Sequence, residues 1–250
     1  YCATVTNTGN GCSASSCTTL TVDTCRPTVA ATNNGPITCT NPTRTVSVSA
    51  TGCGGSYTYS WTGNSSTGAS FTTSNAGQYC ATVTNTGNGC TASSCTTLTV
   101  DTCRPTVAAT NNGPITCTNP TRTVSVSATG CGGSYTYSWT GNSSTGASFT
   151  TSNAGQYCAT VTNTGNGCTA SSCTTLTVDT CRPTVAATNN GPITCTNPTR
   201  TVSVSATGCG GSYTYSWTGN SSTGASFTTS NAGQYCATVT NTGNGCTASS

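Results

Sequence analysis

Cysteine is the residue through which this chain could do chemistry. It supplies 20 of 250 residues. In the stretch from Cys25 to Thr102 the cysteines stand at 25, 39, 53, 80, 90 and 95, and the set returns every 78 residues. Three chemistries fit thiols at such spacing: disulfide stapling, zinc binding and thiol redox. The Cys90-x4-Cys95 pair lacks the two-residue knuckle of a structural zinc site, and no histidine accompanies it. Even cysteine numbers in small units point to disulfides formed in an oxidising compartment.

No other side chain adds a reactive group. Histidine, lysine, glutamate and methionine are absent, and the charged residues are six arginines and three aspartates. General acid–base catalysis needs a group that titrates near neutrality or a carboxylate pair, and one aspartate per repeat makes neither. Serine has no base to activate it. The composition therefore points away from an enzyme and calls for no cofactor. A net charge of +3 spread over 250 residues makes no basic stripe for nucleic acid. No apolar run exceeds three residues, so no membrane insertion is expected.

The elements that must position the cysteines follow from the repeat. Tyr-Cys-Ala-Thr-Val-Thr begins at Tyr1, Tyr79, Tyr157 and Tyr235, and the copies differ only where Ser13 becomes Thr91, Thr169 and Thr247. The expected organisation is the last strands of a truncated repeat over 1–24, repeats over 25–102 and 103–180, and a repeat over 181–250 lacking most of its last strand. Beginning and ending inside a unit, without an initiator methionine, is expected of a stretch taken from a longer array. Asp23-Thr-Cys-Arg-Pro27 marks a short joint, with no flexible tract between neighbours.

Within a repeat, apolar and polar residues alternate with a period of two. Strands are expected over Thr28–Thr32, Ile37–Thr40, Thr43–Thr51, Tyr57–Trp61, Ala69–Thr73, Tyr79–Thr84 and Ala92–Val100. About seven short strands with one apolar face predict an all-β fold, a tandem array of immunoglobulin-like antiparallel β-sandwiches. Tyr57, Tyr59 and Trp61 could stack on sugars, but their shared parity assigns them to the core. Trp61, Trp139, Trp217, Tyr79, Tyr157 and Tyr235 are the expected core aromatics. So small a core makes covalent staples matter.

A hairpin loop over Asn85–Cys90 sets the facing pairs 84–91, 82–93 and 80–95. Cys80 and Cys95 then face each other on the solvent side at disulfide reach. The repeat gives Cys2–Cys17, Cys80–Cys95 and Cys158–Cys173. Closing about 15 residues contributes about 3 kcal/mol in the chain-entropy model. The other four cysteines allow three pairings. A sandwich that places the Cys53 and Cys90 loops at one end favours Cys53–Cys90, Cys131–Cys168 and Cys209–Cys246. That leaves Cys25–Cys39, Cys103–Cys117 and Cys181–Cys195. A bond between neighbouring repeats or chains is the further alternative, and it would turn a staple into a crosslink.

The marks Tyr57-x-Tyr59-x-Trp61, Gly77-x-Tyr79, Val83-Thr84, Asn88-Gly-Cys-Thr-Ala92 and Ile37-Thr-Cys-Thr-Asn-Pro-Thr43 carry a resemblance that covers every repeat. The sequence resembles the immunoglobulin-like and PKD-like repeats of very large secreted surface proteins and adhesins of Bacteroidetes-type bacteria. The resemblance implies an extracellular or cell-surface tandem β-sandwich but no one ligand. It also implies Cys39–Cys90 as a rival pairing. Cys80 and Cys95 depart from the family pattern.

The remaining motifs are weak. Asp23, Asp101 and Asp179 stand alone, too few for calcium, and are expected to pair loosely with Arg26, Arg104 or Arg182. Lys–Asn isopeptide bonds are excluded because there is no lysine. Asn64, Asn142 and Asn220 open Asn-x-Ser sequons in predicted loops, and the Thr/Ser faces could carry O-glycans. Thr38-Cys-Thr40 resembles ice-binding repeats, but those recur over about a dozen residues and the threonines suit ordinary strands. The expected role is a structural subunit of an extracellular fibre, filament or stalk. The alternative is a cell-surface adhesin whose repeats space or bind glycans. Expected partners are neighbouring copies of the same repeat or chain, with surface glycans as a further candidate.

Overall fold

The computed structural model describes Tyr1–Ser250 and divides into two compact units, Tyr1–Thr102 and Cys103–Ser250. The first unit opens with a hairpin, β1 (Cys2–Thr6) and β2 (Ser13–Cys17). One complete repeat follows: β3 (Thr28–Asn33), β4 (Ile37–Thr38), β5 (Arg44–Thr51), β6 (Tyr57–Thr62), β7 (Ser70–Thr73), β8 (Gly77–Asn85), β9 (Thr91–Leu98) and β10 (Val100–Asp101). Two antiparallel three-stranded sheets, β3-β5-β7 and β6-β8-β9, face each other, and β4 pairs with β10 in a short parallel ladder. This is an immunoglobulin-like β-sandwich, and the same strand pattern recurs in tandem along the chain.

Alternation decides which side chains meet between the sheets. Val46, Val48, Trp61, Tyr79, Ala81, Val83 and Leu98 are buried there with Ile37, while Tyr57, Tyr59 and Phe71 pack partly buried against them. Phe71 lies edge-on to Trp61 and Tyr79, with ring centroids 5.1 and 5.3 Å apart, a geometry suited to the ring quadrupoles. The polar tips of both large rings are satisfied. The Trp61 indole donates to the Gly68 carbonyl at 3.0 Å, and the Tyr79 hydroxyl donates to the Asn75 carbonyl at 2.8 Å. The latter, bonding four residues back, is a tyrosine corner. No buried side-chain polar atom lacks a partner.

The second unit holds two repeats. The first of these reproduces the pattern from Thr106–Asn111 to Val178–Asp179, with sheets in the same order and Ile115–Thr116 paired parallel to Val178–Asp179. The next runs from Thr184–Asn189 to Thr247–Ser249, and no strand pairs with its Ile193–Thr194 segment. Tyr235 is consequently half-buried, whereas Tyr79 and Tyr157 are 5% exposed.

Candidate functional site: the joint between repeats

Sixteen of the twenty cysteines are disulfide-bonded, and Cys12, Cys90, Cys195 and Cys236 are free. Strand register explains the first class of bond. Cys80 stands opposite Cys95 in the β8–β9 ladder, with Cα atoms 4.0 Å apart. Cys2–Cys17 and Cys158–Cys173 form in the same way.

The second class corrects the sequence expectation. Cys53 bonds Cys25, not Cys90; Cys131 bonds Cys103, not Cys168; Cys209 bonds Cys181, not Cys246. The pairs Cys25–Cys39, Cys103–Cys117 and Cys181–Cys195 do not form either. The physical reason is direction. Cys25 precedes β3 and Cys39 follows it, so a six-residue strand of about 20 Å separates them. Disulfides need Cα atoms within about 7 Å. The rival Cys39–Cys90 fails for the same reason. The Cys53 and Cys90 loops do share one end of the sandwich, since Asn85 at the foot of the Cys90 loop donates to the Cys53 carbonyl at 3.2 Å. Cys25 enters at that same end and takes Cys53. Cys53 sits at φ 58° among Gly52, Gly54 and Gly55, all left-handed, which tightens the turn that presents it.

One end of each sandwich thus carries a cysteine of the Cys90 type, and the opposite end one of the Cys39 type. They can meet only between repeats. In the second unit they do: Cys117 bonds Cys246 across 129 residues, with Cα atoms 5.0 Å apart. Strand direction accounts for this: β3 runs from the Cys25 end to the Cys39 end, and antiparallel β5 returns to Cys53, whose loop lies beside the Cys90 loop.

Each half of this weld is built by local hydrogen bonds. On one side the turn from Thr116 to Asn119 presents Cys117. The Asn119 amide donates to Thr116 Oγ1 at 3.1 Å, and the Thr116 amide donates to the Asn119 carbonyl at 3.0 Å. On the other side Asn244 holds the Cys246 loop and the joint together. Its Oδ1 accepts the Cys246 amide at 2.9 Å, and its Nδ2 donates to Asp179 Oδ1 at 2.8 Å and to the Cys181 carbonyl at 2.9 Å. Asn244 and Cys246 are 1% and 0% exposed. Gly245 lies between them at φ 68°, where an added Cβ would stand 2.1 Å from Thr118 Cγ2. The contact therefore requires glycine for both conformation and space.

The joint aspartates have a different partner from the one expected. Asp23 accepts from the Cys25 amide and from Asn88 Nδ2, each at 3.0 Å. The Cys25 amide first, and Asn88 second, hold its carboxyl below the ordinary value. Arg182 donates to the Thr247 carbonyl at 2.9 Å instead of meeting a carboxylate. Both interactions tie the joint to the sandwich that follows it. No group of three or more His, Cys, Asp or Glu side chains could hold a metal ion.

The sequons lie in the turn after the tryptophan strand. Asn64, Asn142 and Asn220 each accept the amide two residues on at 2.8 Å and form a bridge to Trp61, Trp139 and Trp217 respectively.

No protein-family model matches the chain, and no curated protein sequence matches it. Among solved structures, the N-terminal eight immunoglobulin domains of Down syndrome cell adhesion molecule, isoform 1.30.30, are 10% identical over 90% of this chain and 54% of that one, with a TM-score of 0.32. The N-terminal four immunoglobulin domains of Dscam1 isoform 6.44 are 12% identical over 69% of this chain and 53% of that one, at 0.20. The S-layer protein rSbsC(31-844) is 12% identical over 96% of this chain and 41% of that one, at 0.28. The chain spans about half the length of the first two and less of the third.

Proposed function

We propose that this chain is a structural subunit of an extracellular fibre, filament or stalk. The Cys117–Cys246 weld carries the reading. A staple inside one sandwich stabilises that sandwich alone, whereas a bond between sandwiches makes covalent continuity independent of the joint peptide. Near-identical repeats present the same surfaces again and again, and repeated heterologous contacts build filaments. Oxidation of sixteen cysteines fits an oxidising, extracellular setting. The resemblance to secreted repeats of Bacteroidetes-type surface proteins points the same way.

Electron microscopy of material carrying these repeats, in denaturant with and without reductant, tests the proposal. Filaments that stay compact in denaturant and lengthen only on reduction are the expected result. Soluble chains that form no filament, and that bind glycans on a glycan array, would overturn it in favour of an adhesin.

A further inference from the structure

We infer that the open edge of β6 is a lateral docking surface, and that its occupant is the same strand of a second copy of this chain, paired antiparallel about a two-fold axis. The inference adds sideways contact to the fibre proposal and rests on that reading for its biological sense.

The two sides of a sandwich are finished differently. On one side the edges of β3 and β9 are stitched together by side chains. The Ala31 amide donates to Ser94 Oγ at 3.0 Å, and Asn33 Nδ2 donates to Thr96 Oγ1 at 2.7 Å and to the Thr97 carbonyl at 3.0 Å. On the other side β6 is the outermost strand of its sheet. Register tells which of its backbone groups are used. The Thr86 amide donates to the Ser56 carbonyl at 2.9 Å, and Thr58, Ser60 and Thr62 stand opposite Thr84, Thr82 and Cys80. Hydrogen-bonded pairs alternate along an antiparallel ladder. Thr58, Ser60 and Thr62 therefore bond to β8, and Tyr57, Tyr59 and Trp61 turn their amides and carbonyls outward. Asn64 bridges back to Trp61 and covers that end. Tyr57 and Tyr59 are left with two donors and two acceptors facing away from the sheet.

These four groups lack the usual guards. Native edges are blunted by charge, proline, bulges or a covering segment. Tyr57-Thr-Tyr-Ser-Trp-Thr62 has no charge and no proline, and its ladder runs without a bulge. The rest of the sheet, β8 and β9, holds no charged residue either.

The pattern is self-complementary. When Tyr57 of one copy stands opposite Tyr59 of the other, the two-fold axis passes between their Thr58 residues. The four donors and four acceptors of the two strands then form four hydrogen bonds. Thr58 faces its own counterpart on the outer side, and tyrosines meet tyrosines on the inner side. Threonine pairs and aromatic pairs are favourable cross-strand neighbours, and two uncharged sheets meet without repulsion. The edge recurs over Tyr135–Thr140 and Tyr213–Trp217, with Asn142 and Asn220 bridging in the same place. One chain thus carries it three times, and simultaneous engagement strengthens association.

The test follows the 250-residue chain, its free thiols alkylated, by sedimentation over a range of concentrations and by amide hydrogen exchange read by NMR. The mass should rise with concentration. The Tyr57 and Tyr59 amides should be protected only in the associated state, whereas those of Thr58 and Ser60 should be protected throughout. Thr58, Thr136 and Thr214 are exposed. Changing all three to lysine, or all three to glutamate, sets like charges face to face and should weaken association several-fold, and mixing the two variants should restore it. Thr91→Lys with Thr169→Lys and Thr247→Lys adds the same charge at the far edge of the sheet and should leave association unchanged. Peptide mapping that finds Cys80–Cys95 and Cys158–Cys173 closed in every variant shows that the fold is kept. A parent chain that stays monomeric at every concentration would overturn the inference. So would lysine variants that associate like the parent, or tyrosine amides that gain protection only with an extended peptide of another protein. Filaments in which this edge stays unprotected would sink the inference and leave the fibre proposal standing; edge-paired chains from material that forms no filament would do the reverse.

Discussion

At the scale of single residues, the joint depends on a glycine, an asparagine and an aspartate. Gly245 has a left-handed backbone and Thr118 against the space a side chain would fill. Gly245→Ala should lose about 1–2 kcal/mol for the conformation alone, and the clash should keep Cys117 and Cys246 apart. Alkylation with mass spectrometry of the oxidised protein would then find both thiols free. A closed bond would mean that the contact tolerates a Cβ. Asp23 makes the complementary case by charge. Its folded carboxyl lies below the ordinary 3.8 because the Cys25 amide and Asn88 bond the ionised form. The clasp is therefore fully formed above the unfolded value and is lost as pH falls through the lower folded one. An NMR titration of the Asp23 carboxyl carbon should show that depressed midpoint. Asn88→Ala should move it back up, and an unmoved midpoint would sever Asn88 from the effect.

At the scale of elements, alternation made most of the sandwich legible. Val46 and Val48, Tyr79, Ala81 and Val83 declare which face of each strand is inside, and the loop length set the β8–β9 register that places Cys80 opposite Cys95. What alternation does not encode is which end of the sandwich a loop occupies relative to the chain's entry point. Sequence spacing therefore pairs Cys25 with Cys39, across the length of β3, whereas Cys25 stands beside Cys53. The parallel pairing of β4 with β10 was hidden for a related reason: two residues carry no period to read. The cross-strand staple makes a quantitative element of this picture. Replacing Cys158 and Cys173 together by alanine should cost about 3 kcal/mol in urea unfolding, the value of closing a 15-residue loop. A loss near zero would mean that the hairpin is already ordered in the unfolded chain.

At the scale of the molecule, two kinds of crosslink have separate jobs. Cys80–Cys95 and Cys25–Cys53 hold strands and entry segments within a sandwich, while Cys117–Cys246 holds one sandwich to the next. The sequence displays Cys80–Cys95 by spacing but not Cys25–Cys53. It conceals the second kind, because 129 residues is longer than the repeat itself and no single repeat contains both partners.

The weld also decides where tension can travel. Suppose a load pulls on Cys103 and Ser250. It runs fourteen residues to Cys117, crosses the sulfurs to Cys246, and leaves after four more. Most of the 129-residue loop between the two sulfurs lies off that route; the Cys103–Cys131 bond ties only residues 117–131 into it. Oxidised, the segment can lengthen to about 60 Å; with every disulfide in it reduced, the same 148 residues could be drawn out to about 500 Å. A sandwich with a thin core and few charges is thereby largely relieved of bearing load by its hydrogen bonds, and the redox state of its cysteines sets whether the strand behaves as an inextensible tether or a yielding one.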